Sequence, residues 1–186
     1  MISVIRPKAG PALRGGCATL WLASAALVAL LAAACGYRFQ GEATLPAGGK
    51  TLCVELFENR TNVAGLEAIV ANGLVFKFTT FSRIVLVGDA SLADLSMRGA
   101  IRSVESKTVA SRNKDAAGER SVTLTIDVRL VQPDGKGVWS ANGLTDSEVY
   151  LVSNNKIIDD EKERATLGIV ASRMAEKIFN RFTDDF

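Results

Sequence analysis

The side chains best suited to acid–base work are Asp159, Asp160, Glu161 and Glu163, crowded near the C-terminus. Neighbouring carboxylates can divide proton transfer between them. Four acids opening a helix are explained more simply by their attraction to the positive end of its dipole. The 186 residues contain no His, the side chain most used to shuttle protons near neutral pH and to hold transition metals. Cys53 lies in the apolar stretch Thr51-Leu52-Cys53-Val54-Glu55-Leu56-Phe57 with no His to activate it, and reads as a small buried hydrophobe. No phosphate-binding glycine loop, Cys-x-x-Cys pair or Gly-x-Ser-x-Gly elbow occurs. These residues imply no catalysis, no cofactor and no metal. A second group is cationic: Arg112, Lys114 and Arg120 fall in the polar segment 111–120, beside Lys107. Cations projecting from a hairpin suit anionic groups, and the same residues would equally serve as a solvated tip.

The N-terminus carries chemistry of another kind. Arg6, Lys8 and Arg14 precede the uncharged run from Cys17 to Ala34, which ends in Ala32-Ala33-Ala34-Cys35-Gly36. A basic region, an apolar region and small residues before a cut describe a secretory signal. The ending resembles a bacterial lipobox, in which the Cys35 thiol is acylated and the signal is removed before it. Ala32 stands where such motifs usually have Leu. A single membrane-spanning anchor is the other reading of the run. Gly36 after the Cys implies sorting to the outer membrane. Each buried CH₂ adds ~0.8 kcal/mol, so several acyl chains hold a protein to a bilayer without a spanning helix. Losing 34 of 186 residues leaves 152, with 19 basic residues against 20 acidic ones. The formal charge passes from +2 to −1, and neither value argues for nucleic acid. With Cys17 removed and Cys35 acylated, Cys53 has no partner for an internal disulfide.

The elements that would position these residues follow from periodicity. Residues 1–34 form the removed signal, 35–49 a lipidated tether, and 50–186 one domain. Residues 50–57 read as a first strand, 58–62 as a loop, with Thr61 or Asn62 able to cap the next helix. Leu66, Ile69, Val70, Leu74, Phe78 and Phe81 have helical spacing, with Glu67 and Lys77 outward. Gly73 weakens that helix unless a close contact needs it. Ile84 to Val87 forms the next strand, giving one right-handed parallel crossover. Residues 94–109 alternate and slip phase at Ser103-Val104, as at a β-bulge. Val122, Leu124, Ile126, Val128 and Leu130 alternate with Thr123, Thr125, Asp127 and Arg129, a half-buried antiparallel strand. Pro133-Asp134-Gly135-Lys136 is a turn, and residues 138–150 a further strand. From about Asp159 to Phe182 a second amphipathic helix runs through Leu167, Val170, Ala171, Met174 and Ile178, leaving Asp184-Asp185 at a frayed end. The fold predicted is an α+β two-layer sandwich in the order β-α-β-β-β-β-α. Its mixed sheet has four to five strands, with both helices on one face. The other face, rich in Thr and Ser, suits contact with a polar wall.

Cys35-Gly36-Tyr37-Arg38-Phe39, Leu45-Pro46, Val54-Glu55-Leu56-Phe57-Glu58-Asn59-Arg60-Thr61 and Gly65-Leu66-Glu67 together resemble the lipopolysaccharide-assembly lipoprotein family, LptE. Val138-Trp139, Glu148-Val149-Tyr150 and the final helix fit as well. The resemblance implies a non-enzymatic outer-membrane lipoprotein, lipid-anchored on the periplasmic side. It implies a one-to-one partner, the outer-membrane β-barrel LptD, which the protein plugs and helps to assemble. It also implies binding of lipopolysaccharide on its way to the outer leaflet. The implied basic site lies on the hairpin after the long strand and on a Lys just before the last helix. By position these are Arg112 and Lys156, with Lys114 able to stand in for Arg112. Two other classes also open with a strand ending in Phe-x-Asn: activators of cell-wall synthases and curli-type secretion lipoproteins. A soluble periplasmic enzyme has no site to support it.

Overall fold

The computed structural model describes residues 45–110, 118–153 and 155–186. Cys35, Arg112 and Lys114 lie outside the described residues, as do the signal and most of the tether. No helix among the described residues is long and apolar enough to cross a membrane.

The chain enters at the buried Leu45 and a 3-10 turn, Pro46–Gly48. The elements that follow are β1 (Thr51–Val54), β2 (Glu58–Asn59), α1 (Leu66–Phe81), β3 (Val85–Leu86), β4 (Leu95–Ala110), β5 (Glu119–Val131), β6 (Gly137–Leu151) and α2 (Lys156–Asp185). The sheet runs β3-β1-β4-β5-β6. β1 is parallel to both β3 and β4, and β2 continues along β4 where β1 stops. β4, β5 and β6 form an antiparallel meander. The fold is the expected α+β arrangement of a mixed sheet and two helices. It has six strands because the stretch read as one strand and a loop supplies two pieces to the same edge of β4. The chain bends at Glu55–Phe57, and Glu58–Asn59 then pairs with Ala100–Ile101.

The inner face of β5 buries Val122, Leu124, Ile126, Val128 and Leu130 beneath Leu74 and Phe78 of α1 and Met174, Ile178 and Phe182 of α2, in one core. The phase slip in β4 is a bulge between Ile101 and Ser103, as the alternation predicts. A second bulge lies in β6, where Gly143 adopts φ 65° and donates its N–H to Asp127 Oδ1 at 2.7 Å. The Pro133–Lys136 turn forms as expected, with Gly135 at φ 85°.

Expectations about both helices are corrected. First, α1 is capped by neither Thr61 nor Asn62. Gly65 precedes it in the left-handed region (φ 94°), and Glu67 accepts the Gly65 N–H at 3.1 Å. Second, Ile69 and Phe81 do not enter the core; they are 37% and 61% exposed, because α1 is apolar nearly all round while α2 and the sheet cover one side. Third, α2 begins at Lys156 rather than near Asp159. Asn155 Oδ1 caps it, accepting the Ile157 N–H at 3.0 Å. Its far end is held rather than frayed: Trp139 donates its indole N–H to Asp185 at 2.7 Å. The helices run parallel, with Phe78 edge-on to Phe179 and Phe182.

Candidate functional site

Past Asn59, β4 has no neighbour on its β2 side among the described residues, so β4, β5 and β6 extend as a three-stranded blade. The long alternating run of β5 makes this possible, since every second side chain keeps one face of the strand apolar. The segment 111–117 joins β4 to β5 at the end of the blade. Val152 donates its N–H to the Gly118 carbonyl at 2.9 Å, which ties the approach to α2 to the foot of that segment. Lys156 therefore stands at the same end of the molecule as the hairpin. It is exposed, and it is the first residue of α2 rather than a residue before it.

The blade end joins two chemistries. Lys107, Arg120 and Lys156 bring positive charge, though Lys107 is paired to Glu105 at 2.6 Å. At the same end Ile157 and Ile158 follow Lys156 on α2, and Val109, Val149 and Leu151 lie on the strands, Val149 and Leu151 on the sheet face opposite Arg120 and Tyr150; all five are exposed. Soluble surfaces seldom leave this many large apolar side chains exposed at one end of a fold without a partner. The cations were visible in the sequence; the apolar set was not. Its signal was the Ile157-Ile158 pair lying out of phase with the core positions of α2. Such an end suits an anionic amphiphile, whose charged groups meet Arg and Lys while its chains cover apolar surface.

The acids of α2 have structural employment. Asp159 accepts the Ser153 N–H at 2.7 Å, and Glu163 accepts the Tyr150 hydroxyl at 2.7 Å. Burial and then the Glu163 carboxylate push the Tyr150 phenol above its ordinary range. Cys53 is 4% exposed, and burial pushes its thiol up, away from the reactive thiolate. Among the described residues no group of acids, Cys or His could hold a metal.

The start of the domain is fastened by one short motif. The Phe57 ring lies where a side chain on Gly99 would be. Asn59 donates Nδ2 to Glu67 at 2.7 Å and to the Val63 carbonyl at 2.8 Å, and it accepts the Thr61 N–H at 2.9 Å. Phe57, Asn59 and Thr61 thus lock the turn from sheet to α1.

The family model described as "LptE: Lipopolysaccharide-assembly" matches residues 49–182, from the first strand to the last turns of α2. The chain belongs to the LptE family. Its place is therefore in lipopolysaccharide assembly. Rare lipoprotein B of Shewanella oneidensis shares the LptE-like fold at 13% identity, with a TM-score of 0.52 over 73% of this chain and 95% of that one. A minor lipoprotein of Acinetobacter baumannii matches at 15% identity and TM-score 0.49, over 73% of this chain and 92% of that one. No curated protein matches this LptE-family sequence.

Proposed function

We propose that the chain is an outer-membrane lipoprotein that seats one-to-one in an LptD-like β-barrel, helps to assemble it, and binds lipopolysaccharide during delivery to the outer leaflet. The protein acts without catalysis. Residues 1–34 are removed as a signal, Cys35 carries the acyl chains at the periplasmic side, residues 35–49 tether, and 50–186 form the working domain. The blade end binds lipopolysaccharide, with Arg112, Lys114 and Lys156 meeting its phosphates. The Arg fork grips two phosphate oxygens at once.

The observation that carries the binding reading is Lys156 followed by the exposed Ile157 and Ile158, on a helix whose approach is tied by Val152 to Gly118 at the start of β5. Family membership supports the wider role, and the lipoprotein names of the similar structures agree with the anchor. The test is to reverse Arg112 and Lys156 together to Glu and measure lipopolysaccharide affinity beside the melting temperature. Each charge-assisted contact contributes about 1.5–3 kcal/mol when partly desolvated, so affinity should fall at least tenfold. The melting temperature should hold, because Lys156 is exposed and lies outside the core pattern. Unchanged affinity moves the site elsewhere.

A further inference from the structure

The face of the sheet turned away from the helices carries an uneven arrangement of charge. Arg98 on β4 stands directly opposite Arg129 on β5. Arg102, at the β4 bulge, and Arg60, just past β2, line the same cleft, which has a volume of about 220 Å³. Like charges placed directly opposite on neighbouring strands destabilise a sheet. Local carboxylates offset only part of this. Arg98 gives Nε to Glu55 at 2.7 Å, Arg60 gives Nη2 to Glu58 at 2.8 Å, and Arg102 gives Nε to Asp127. Arg129 bonds no carboxylate among the described residues, so four guanidiniums face three carboxylates. The Nη groups of Arg98 and Arg102 also have no bonded acceptor there. Donors that converge on a cleft and are left unused in this way are shaped for an oxyanion.

We propose that this outer face is the surface through which the chain meets its protein partner, and that the arginine cleft receives a carboxylate side chain from it. The inference rests on the reading of the chain as a one-to-one subunit of a barrel. Two observations favour a protein carboxylate over a lipid phosphate. Glu55, Glu58 and Asp127 stay bonded to the arginines and would repel a dianion, whereas one carboxylate matches the single excess positive charge. No large exposed apolar side chain lines the cleft to hold acyl chains. Around it Ser103, Thr123, Thr125, Ser140, Thr145 and Ser147 occupy outward register positions. Such hydroxyls both donate and accept, and they trade water for a polar protein wall at little cost. Arg is among the residues enriched at the energetic centres of protein interfaces.

Arg129→Glu tests this in the full-length tagged chain, expressed in its own outer membrane. The change sets an acid opposite Arg98, which favours the fold, while it turns the cleft from net positive to net negative. The expected result is at least a tenfold drop in barrel protein recovered per tagged chain. The melting temperature of the purified chain should not fall, and its affinity for lipopolysaccharide should stay within about twofold of wild type. A photo-crosslinking amino acid at Thr125 should reach the barrel near an Asp or Glu, and one at Ser172 on α2 should not. Unchanged barrel recovery overturns the proposal, as do crosslinks from Ser172 alone. A fall in lipopolysaccharide affinity with barrel recovery intact also overturns it and assigns the cleft to an anionic lipid. If the wild-type chain recovers no barrel, the barrel reading fails on its own. The outer-face inference then stands only if Thr125 crosslinks an acidic stretch of another outer-membrane protein and Arg129→Glu abolishes that crosslink; otherwise it falls.

Discussion

Gly73 faces Ala175 with no room for a side chain: a β-carbon on Gly73 would stand 2.7 Å from the Ala175 Cβ. The glycine that weakens α1 in isolation is what lets it lie against α2. Around this contact Lys77 pairs with Glu176 at 3.0 Å, and Phe78 packs edge-on to Phe179 and Phe182. Both helices must hold this spacing for the sheet's inner face to stay covered.

Gly73→Leu should therefore lower stability by about 1–3 kcal/mol, the usual cost of forcing extra atoms into a packed contact. For a domain of this size that is a fall in melting temperature of roughly 2–12 °C. Gly73→Ala should also destabilise, even though Ala favours a helix by up to ~1 kcal/mol. A raised melting temperature for the alanine variant would show that the helices part freely.

Asn59→Ala should cost about 2–4 kcal/mol, since it removes bonds to Val63, Thr61 and Glu67 and leaves their groups unsatisfied. Thermal denaturation checks the magnitude. A loss below about 0.5 kcal/mol would mean that the turn holds without it.

Arg173 closes the free edge of β6. It gives Nε to Asp146 at 2.8 Å, Nη1 to Glu148 and Nη2 to the Ser147 carbonyl at 2.9 Å. Lys177 and Lys162 cap the Thr145 and Leu151 carbonyls at 2.5 and 3.0 Å. Edge strands left bare recruit other strands. Arg173→Met keeps the aliphatic stem and removes the cap. With Arg173 42% exposed, the expected loss is modest, about 1–2 kcal/mol. Self-association of the purified chain should increase, read by light scattering against concentration. Unchanged scattering would show that the lysines suffice.

Stability should be level across neutral pH, because no His titrates there. It should fall on both sides. The Lys50 and Thr51 amides, donating to Asp94 at 2.8 and 3.0 Å, hold its carboxyl below the ordinary range. That stabilisation is present above the unfolded value near 4 and is lost as pH falls through the folded one. Burial, then the charges of Glu55 and Asp89, raise the Cys53 thiol. Its contribution is complete below the unfolded value near 8.5 and is lost as pH climbs toward the folded one. Melting temperatures at pH 3, 7 and 9.5 should show the dome, with Asp94→Asn flattening the acid limb and Cys53→Ala the alkaline one. Limbs unchanged by either variant would contradict these assignments.

The sequence made legible what a repeating apolar pattern can encode. The strict alternation of Val122 to Leu130 placed β5, the slip at Ser103 marked the bulge in β4, and the spacing of Leu167 to Phe182 marked the middle of α2. It could not reveal pairing that leaves no pattern. Glu58–Asn59 is a strand only because Ala100–Ile101 lies beside it. The first turn of α2 was missed because Ile157 and Ile158 face outward, although Asn155 was a readable cap. Ile69 and Phe81 match the core period, yet both stay partly exposed, Phe81 touching only the Phe179 ring and the Lys77 ammonium among the described contacts. The opposition of Arg98 and Arg129 was hidden by the bulge, which shifts every register count across it. Cys35, Arg112 and Lys114 remain assignments from the resemblance.

A one-to-one subunit of an outer-membrane barrel in lipopolysaccharide assembly must show that ratio in the subunit count of its native assembly. The tagged full-length chain is isolated from outer membranes in detergent at about 0.5 M salt, where surface charge attraction is heavily screened, and its mass and composition are measured. The expected composition is one copy of this chain with one copy of a β-barrel protein. A free monomer, or a ring of copies of this chain without a barrel, would contradict it.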